Sequence, residues 1–209
     1  ERVEFLKGPQ GTLYGATSIG GAIKYVTRKP SLEEVRGHAS VGLSSSDEGG
    51  LNKLYNARVS IPIVNDKLGL SFAGFFEDNG GLVDNLDGTG ALVKEDADEY
   101  DRYGFSGDLY YQLSDQFDFR MRVLHQKADY NNSSRVLIDS LTKAPIESGF
   151  SSTLPDANQS LENTVYAGTF EYVFEAVTLT ATSSYSEEKY SSVLGIADPA
   201  FLAAVIAPT

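Results

Sequence analysis

The glycines of the first 21 residues are spaced in a way that invites comparison with phosphate-binding loops. Gly8, Gly11 and Gly15 form a G-x-x-G-x-x-x-G pattern, and Gly20 and Gly21 follow. A phosphate-binding loop carries either the dinucleotide fingerprint or a P-loop ending in G-K-[ST], and it opens a helix. Neither pattern occurs here, and residues 22–27 are strand-like. We therefore expect these glycines to turn the backbone sharply between two short strands.

The segment between residues 77 and 101 is strongly acidic and raises the question of a calcium site. Asp84 and Glu95 are spaced like the first and last ligands of a calcium-binding loop. However, Leu86 occupies the third ligand position, and Thr89 stands where such a loop requires glycine. We therefore expect a solvated loop and no ordered metal. Its acidic residues are Asp78, Asp84, Asp87, Glu95, Asp96, Asp98 and Glu99.

Other sources of chemistry are equally scarce in this sequence. His38 and His125 fall in different segments without a neighbouring ligand set, and there is no cysteine. No nucleophile elbow, H-x-x-x-H or paired-carboxylate motif stands out, so we predict no metal, no cofactor and no enzymatic activity. The net charge of −12 argues against nucleic-acid binding, which requires clustered Lys and Arg.

Most of the remaining sequence alternates between apolar and polar residues, as strands with two unlike faces do. The clearest case sets Tyr103, Phe105 and Leu109 on one face against Arg102 and Asp108 on the other. No run approaches the roughly 18 apolar residues that a transmembrane helix needs. Seven alternating segments are predicted to be strands, at residues 38–44, 55–63, 68–77, 102–113, 117–126, 166–174 and 177–182.

The connections between these strands distinguish a barrel from a soluble sheet. Tight turns at residues 64–67, 114–116 and 175–176 alternate strictly with long polar stretches. Outer-membrane barrels have short turns on one side and long loops on the other, whereas a soluble sandwich has no reason to sort its connections. We therefore predict an all-β, antiparallel transmembrane β-barrel with about seven strands in this chain. An interfacial girdle is predicted from Tyr110, Tyr111, Phe117, Phe119, Tyr172 and Phe174.

Three arginines lie on the polar faces of the predicted strands: Arg58, Arg120 and Arg122. A charge facing lipid costs several kcal/mol, so these side chains are expected to face the interior of the barrel. They would need partners there, and a folded segment inside the barrel would supply them.

The first 30 residues resemble the closing segment of the plug domain of TonB-dependent outer-membrane receptors. That segment has the pattern E-R-[VI]-E-V-L-K-G-P-x-G-x-L-Y-G, a short spacer, and G-G-x-I-x-x-V-T-[KR]-K-P, and residues 1–30 match it with one departure, Phe5. The resemblance implies that Arg2 and Glu4 make charged contacts between plug and barrel. It also implies a structural role in the plug for the motif residues Gly8, Pro9, Gly11, Tyr14, Gly15, Gly20 and Gly21.

The resemblance further implies a domain division and a function. Residues 1–35 would be the C-terminal part of the plug domain, and residues 36–209 the first strands and loops of a larger plugged barrel. The expected function is TonB-dependent active uptake of a scarce, bulky nutrient (ferric siderophore, haem, cobalamin or saccharide) across the bacterial outer membrane. Expected partners are TonB, whose binding segment would lie outside this chain, outer-membrane lipid and lipopolysaccharide, and an unidentified nutrient.

Two other functions remain open from the residues alone. One is a soluble antiparallel β-sandwich that binds a ligand, and the other is a passive porin-like channel. The plug motif is what separates a gated transporter from an open pore. The loop at residues 130–163 is long enough to be functional, either by contacting a ligand or by covering the pore mouth.

Overall fold

The structure is a computed structural model, and it describes residues 2–9, 11, 20–47, 49–86, 91–131, 151–152 and 158–193. Most of the long loop predicted at residues 130–163 lies outside these ranges. The described residues form twelve strands. The strands are β1 (Arg2–Lys7), β2 (Gly21–Val26), β3 (Arg36–Ser45), β4 (Leu51–Val64), β5 (Leu68–Asn79), β6 (Asp84–Leu86), β7 (Leu92–Lys94), β8 (Tyr100–Ser114), β9 (Phe117–Asn131), β10 (Ser151–Ser152), β11 (Asn158–Val173) and β12 (Thr178–Val193).

Seven of these strands form one antiparallel sheet in the order β12-β11-β9-β8-β5-β4-β3, which we call the wall. These are the seven strands that the alternation predicts, and the structure extends most of them by several residues. Wall strands that follow one another along the chain lie side by side in the sheet, and a turn or loop joins each pair at one end. Tight turns at residues 65–67, 115–116 and 174–177 all lie at the same end, and the connections at residues 46–50, 80–99 and 132–157 lie at the other.

The wall has a polar inner face and an apolar outer face. One register row across β4, β5, β8 and β9 carries polar side chains, and the row one residue further along carries apolar ones. The polar row is Ser60, Ser71, Asp108 and Arg122, and the apolar row is Ile61, Leu70, Leu109 and Met121. The predicted alternation is therefore confirmed, and the three inner arginines lie on the polar side.

The apolar face of the wall is open over the described residues. Phe72 and Phe105 are 55% and 54% exposed, and the buried apolar residues of the described ranges are Val83, Ala97 and Tyr110. The strands of the wall pack against their neighbours in the sheet, and the described part of the chain supplies no second layer over the outer face. A sandwich buries its apolar face, and the described residues do not form one. No helix in the described ranges is long and apolar enough to cross a membrane.

The predicted aromatic girdle is correct in part. Phe117 and Tyr172 lie on the outer face near the tight turns, with ring centroids 6.4 Å apart, and Phe174 lies 4.5 Å from Tyr172. Tyr110 does not belong to this group, because it is 8% exposed and points to the inner face. The period of two places neighbouring residues on opposite faces, so Tyr110 and Tyr111 cannot both face outwards.

Two smaller sheets accompany the wall. Strands β1 and β2 pair antiparallel from Arg2↔Val26 to Lys7↔Gly21 and form the leading hairpin, as the glycine pattern predicts. The short strands β6, β7 and β10 form a second sheet within the loop region. Sequence alternation did not predict these three strands, since two or three residues are too few to show a period.

Candidate functional site

The candidate site is the junction at which residues 27–35, which we call the exit segment, cross the inner face of the wall. β2 ends at Val26, opposite Arg2 of β1, and Pro30 follows four residues later, where it has no N–H to donate to a strand ladder. The chain then lies against the wall instead of extending the leading hairpin, and Pro30 and Ser31 are buried. Four wall strands supply the contacts, which are β4, β5, β8 and β9.

Asp108 on β8 holds two arginines of β9 in position. Its Oδ1 accepts hydrogen bonds from Arg120 Nε and Arg122 Nε, both at 2.9 Å, and its Oδ2 accepts from Arg122 Nη2 at 3.1 Å. Asp108 is buried and both arginine side chains are largely covered. The shared carboxylate therefore both offsets the cost of burying the guanidinium groups and fixes their direction.

The two oriented arginines reach the exit segment. Arg120 Nη2 donates to Thr27 Oγ1 and to the carbonyl of Arg28, each at 3.1 Å, and Arg122 also donates to Thr27 Oγ1. Arg58 on β4 donates to the same Arg28 carbonyl at 3.1 Å. The prediction that these three arginines face inwards and find partners in a folded segment is confirmed. Thr27 and Asp108 were not singled out from the sequence, although Asp108 lies on the predicted polar face.

A second group of contacts involves Lys29. Its Nζ lies 3.2 Å from Asp118 Oδ2 and 3.3 Å from the hydroxyl of Tyr110, and it sits 4.5 Å from the centre of the Tyr110 ring. Tyr110 in turn donates to Asp118 at 3.1 Å. Burial lowers the pKa of Lys29, but the hydrogen bonds that its ammonium donates to Tyr110 and Asp118 outweigh burial, so the pKa is raised and the ammonium stays charged.

The exit segment approaches the wall closely at Ser31. The backbone N–H of Ser31 donates to Ser60 Oγ at 2.7 Å, and the N–H of Asp66, in the first tight turn, donates to the carbonyl of Leu32 at 3.0 Å. Gly69 makes this approach possible, because a Cβ at that position would lie 2.5 Å from the Ser31 carbonyl oxygen. The contact is thus between backbones, and it needs glycine on the wall side.

The predicted motif residues lie in and beyond the leading hairpin. Gly8 and Gly21 have positive φ angles of 83° and 135°, and a Cβ on Gly21 would lie 2.5 Å from the Leu6 carbonyl oxygen. Gly11 and Gly20 face open space. Pro9 lies two residues after the end of β1, and Tyr14 and Gly15 lie outside the described residues. The scaffold role of this set stays a prediction.

Arg2 and Glu4, predicted to join plug and barrel, pair with each other in the structure. Arg2 Nε lies 2.5 Å from Glu4 Oε1, and Lys24 on β2 lies 3.4 Å from Glu4 Oε2. The hydrogen bond from Arg2 holds the pKa of Glu4 below its usual value. The Lys24–Glu4 contact links β2 to β1, and the role of Arg2 and Glu4 between plug and wall stays a prediction.

The acidic loop uses its carboxylates to bind its own backbone. Asp98 Oδ1 accepts from the N–H groups of Leu82 and Val83, both at 2.7 Å, and Asp84 Oδ1 accepts from the N–H of Asp96 at 2.9 Å. No group of three or more His, Asp or Glu side chains in the described ranges could hold a metal ion. The two histidines are far apart in the sheet: His38 lies on β3, and His125 on β9 bonds Thr164.

Two sets of curated proteins match short stretches of this chain. A stretch of 47 residues is 49% identical to the pesticin receptor of Yersinia pestis and covers 22% of this chain and 7% of that receptor. A stretch of 43 residues is 54% identical to the metal-pseudopaline receptor of Pseudomonas aeruginosa and covers 20% of this chain and 6% of that receptor. No protein-family model matches the chain.

The fold matches a solved receptor over nearly the whole chain. The crystal structure of the ferripyoverdine receptor of the outer membrane of Pseudomonas aeruginosa, bound to ferripyoverdine, aligns with a TM-score of 0.56 and 17% identity. The alignment covers 92% of this chain and 33% of that receptor, so this chain spans about a third of the solved protein. The likeness shows that the wall and the exit segment share the fold of an outer-membrane receptor.

These matches support a fragment of a TonB-dependent outer-membrane receptor. The wall is thus part of a transmembrane β-barrel in the bacterial outer membrane. The exit segment contacts the wall near the first tight turn, where the N–H of Asp66 donates to the Leu32 carbonyl. β3 begins at Arg36, beside the boundary predicted between plug and barrel, and the division into domains stays a prediction.

Proposed function

We propose that this receptor imports a scarce, bulky nutrient across the outer membrane and that TonB supplies the energy. One observation carries the proposal: a segment leading out of the glycine-rich hairpin is fastened to the charged inner face of a wall whose outer face is apolar. A passive channel has no need for a folded segment anchored inside it. The role is transport and not catalysis, in keeping with the receptor names of the relatives.

The anchored exit segment suggests which part of the gate stays fixed. The guanidinium groups of three wall arginines hold Thr27 and Arg28, and the Lys29 ammonium bonds Asp118. The backbone N–H of Ser31 and the carbonyl of Leu32 also bond the wall. The two strands of the leading hairpin, in contrast, pair with each other along their whole length, and Lys24 bonds Glu4 across them. We therefore expect the remodelling that TonB drives to begin N-terminal to Thr27, with the exit segment left in place.

The ligand is expected to be a metal chelate. Two of the three relatives carry a metal-bearing ligand in their names, metal-pseudopaline and ferripyoverdine. Ferric siderophores are therefore the first class to test, and haem, cobalamin and saccharides follow. Outer-membrane lipid and lipopolysaccharide would surround the apolar face of the wall.

Uptake in cells tests the proposal directly. A deletion strain and its complemented counterpart would be given radiolabelled ferric siderophores one at a time, with and without TonB. We expect accumulation that requires both the receptor and TonB and that stops when a protonophore collapses the proton-motive force. Uptake that continues without TonB would identify a passive porin-like channel. If no siderophore is accumulated, haem, cobalamin and saccharides are tested in the same strains.

The scaffold role of the glycine motif can be tested by a matched pair of substitutions. Gly21→Ala places a Cβ against the Leu6 carbonyl oxygen at a positive φ angle, whereas Gly20→Ala places one in open space. We expect Gly21→Ala to lower uptake and to make the leading hairpin sensitive to protease, with Gly20→Ala unchanged. Equal uptake and equal protease sensitivity of the two variants would show that Gly21 has no structural role in the plug.

A further inference from the structure

Positive charge collects beside the exit segment, although the chain as a whole carries a net charge of −12. A cavity of about 70 Å3 opens between the exit segment and the inner faces of β3 and β4. A cavity needs only about 10 to 15 Å3 to hold one water molecule, so this one has room for a polyatomic group. Its lining contains four cationic side chains and no carboxylate: Arg28, Lys29, Ser31, Arg36, Gly37, His38, Arg58 and Ser60.

Two of the four cations have carboxylate partners, and two do not. Lys29 pairs with Asp118, and Arg36 lies 2.9 Å from Glu34. Over the described residues, neither Arg28 nor Arg58 has a carboxylate within 4.0 Å, and the contact of the Arg58 guanidinium is with the Arg28 carbonyl. A guanidinium has five N–H donors, so most of the donors of these two side chains remain available.

The arrangement matches the chemistry of an oxyanion. Guanidinium groups bind carboxylate and phosphate through paired N–H donors. Arg58 is half-buried and Arg28 is exposed, so both side chains can be reached from the cavity they line. The hydroxyl of Ser60 already accepts from the Ser31 N–H and keeps its own O–H as a further donor to the cavity. His38 adds a ring that donates a hydrogen bond in either tautomer.

We propose that this cavity binds an oxyanion, a carboxylate or a phosphate group, through Arg28 and Arg58. The site adjoins the arginine pair on Asp108, because Arg58 and Arg120 donate to the same Arg28 carbonyl, but neither Arg120 nor Arg122 lines the cavity. It does not depend on which nutrient the receptor imports.

Two sources could supply the oxyanion. One is a free anion in the lumen, such as an acidic ligand in transit or inorganic phosphate. The other is a carboxylate of the receptor itself, because β3 is the last strand of the described sheet and its outer edge is open. A strand pairing with that edge in the complete barrel would bring inward-facing side chains next to Arg36 and His38.

Binding of inorganic phosphate to the complete receptor in detergent separates these sources. Calorimetric titration would be performed on the parent protein and on the variants Arg28→Gln and Arg58→Gln. The control is Arg102→Gln, because Arg102 lies on the same inner face and is already paired, with Nη2 2.6 Å from Glu77 Oε2. A free-anion site predicts phosphate binding that is at least about tenfold weaker in Arg28→Gln and Arg58→Gln, a difference of about 1.4 kcal/mol, and unchanged in Arg102→Gln.

A resident carboxylate predicts a different result. The parent receptor would then not bind phosphate, and Arg28→Gln would lower the unfolding temperature and weaken its dependence on salt, because an ion pair is lost. Arg58→Gln also removes the hydrogen bond to the Arg28 carbonyl, so its stability does not decide the question. The proposal is overturned if phosphate does not bind and Arg28→Gln unfolds like the parent. Because these measurements involve neither uptake nor TonB, they can fail while the proposed transport function stands, and the reverse also holds.

Discussion

Two aspartate carboxylates, one on a wall strand and one in the loop region, bind different kinds of partner. Asp108, on β8, accepts hydrogen bonds from Arg120 and Arg122. These arginines in turn bond Thr27 of the exit segment, from which they are 93 and 95 residues away along the chain. Asp98, in the loop region, accepts from the N–H groups of Leu82 and Val83, 16 and 15 residues away. The first couples two parts of the molecule, and the second orders one loop locally.

The difference follows from what surrounds each carboxylate. Asp108 faces the covered interior of the wall, where a charge needs charged partners, so its loss leaves two guanidinium groups unpaired. Asp98 lies in a partly exposed loop, where water can replace it. The comparison predicts large, global consequences of substitution at the junction and small, local ones in the loop.

The largest effect is expected from Asp108→Leu. It removes the carboxylate that offsets both arginines, and breaking a buried ion pair on one side costs about 3 kcal/mol or more. We expect a clear loss of stability in urea unfolding of the complete receptor and release of the exit segment to protease. Asp108→Asn keeps an oxygen acceptor and should lose less.

A triple variant tests whether the unpaired charges cause this loss. Asp108→Leu combined with Arg120→Leu and Arg122→Met should recover much of the stability, because an apolar replacement of a buried ion cluster is often neutral. The exit segment should remain loose, since nothing then holds Thr27. Failure of the triple variant to recover would show that packing at Asp108 matters more than charge.

A smaller effect is expected where the exit segment touches the wall through its backbone. Gly69→Ala places a Cβ 2.5 Å from the Ser31 carbonyl oxygen and should cost about 1 to 3 kcal/mol as the segment moves away. Gly107→Ala is the control, because its Cβ would meet the Phe72 ring at an ordinary 3.7 Å. Urea unfolding of the two variants gives the comparison, and equal midpoints would mean that the close approach at Ser31 is not needed.

The loop carboxylate should produce a local effect. Asp98→Ala removes the acceptor of two backbone N–H groups and should cost about 1 to 2 kcal/mol of local order, with little change in global unfolding. Hydrogen exchange at the amides of Leu82 and Val83 measures it, and Asp98→Asn should retain much of the protection. If Asp98→Ala destabilised the whole protein as much as Asp108→Leu, the loop carboxylate would not be merely local in its effect.

The smallest effect concerns pH. Burial, followed by repulsion from Asp84, Asp98 and other carboxylates, raises the pKa of Asp96, so the folded loop takes up a proton more readily than the unfolded one. The charged form therefore opposes folding, and the loop becomes more stable as the pH falls towards the ordinary pKa of an aspartate. Asp96→Asn should stabilise the loop at pH 7 by less than about 1 kcal/mol.

Asparagine is also suited to the backbone at this position, because Asp96 has a φ angle of 48°, which asparagine adopts readily. Amide exchange of Ala97, which donates to the Val83 carbonyl at 2.7 Å, measures the change. The gain at pH 7 should shrink at acidic pH, where the parent aspartate is itself protonated. A gain that is constant with pH would come from the backbone and not from charge.

Much of the wall could be predicted because its signals are local. Alternation of residues such as Phe105 and Ser106 reports two faces, and tight turns such as the one at Asp66 report which strands pair. The inward direction of Arg58, Arg120 and Arg122 followed from the cost of a charge in lipid. The prediction failed for Tyr110, where clustering with Tyr111 obscured the period of two, and for the short strands β6 and β7.

The sequence by itself determined the strands, their two faces and the family motif, because each depends on neighbours within about ten residues along the chain. Only the tertiary structure decided which residues the inner arginines bond, namely Thr27 and Arg28. It also decided that Lys29 bonds Tyr110 and Asp118, and that the backbone of Ser31 packs closely against Gly69. These contacts join residues tens of positions apart. Their partners are selected by strand register and by the path of the exit segment across the wall, and neither leaves a periodic signal in the chain.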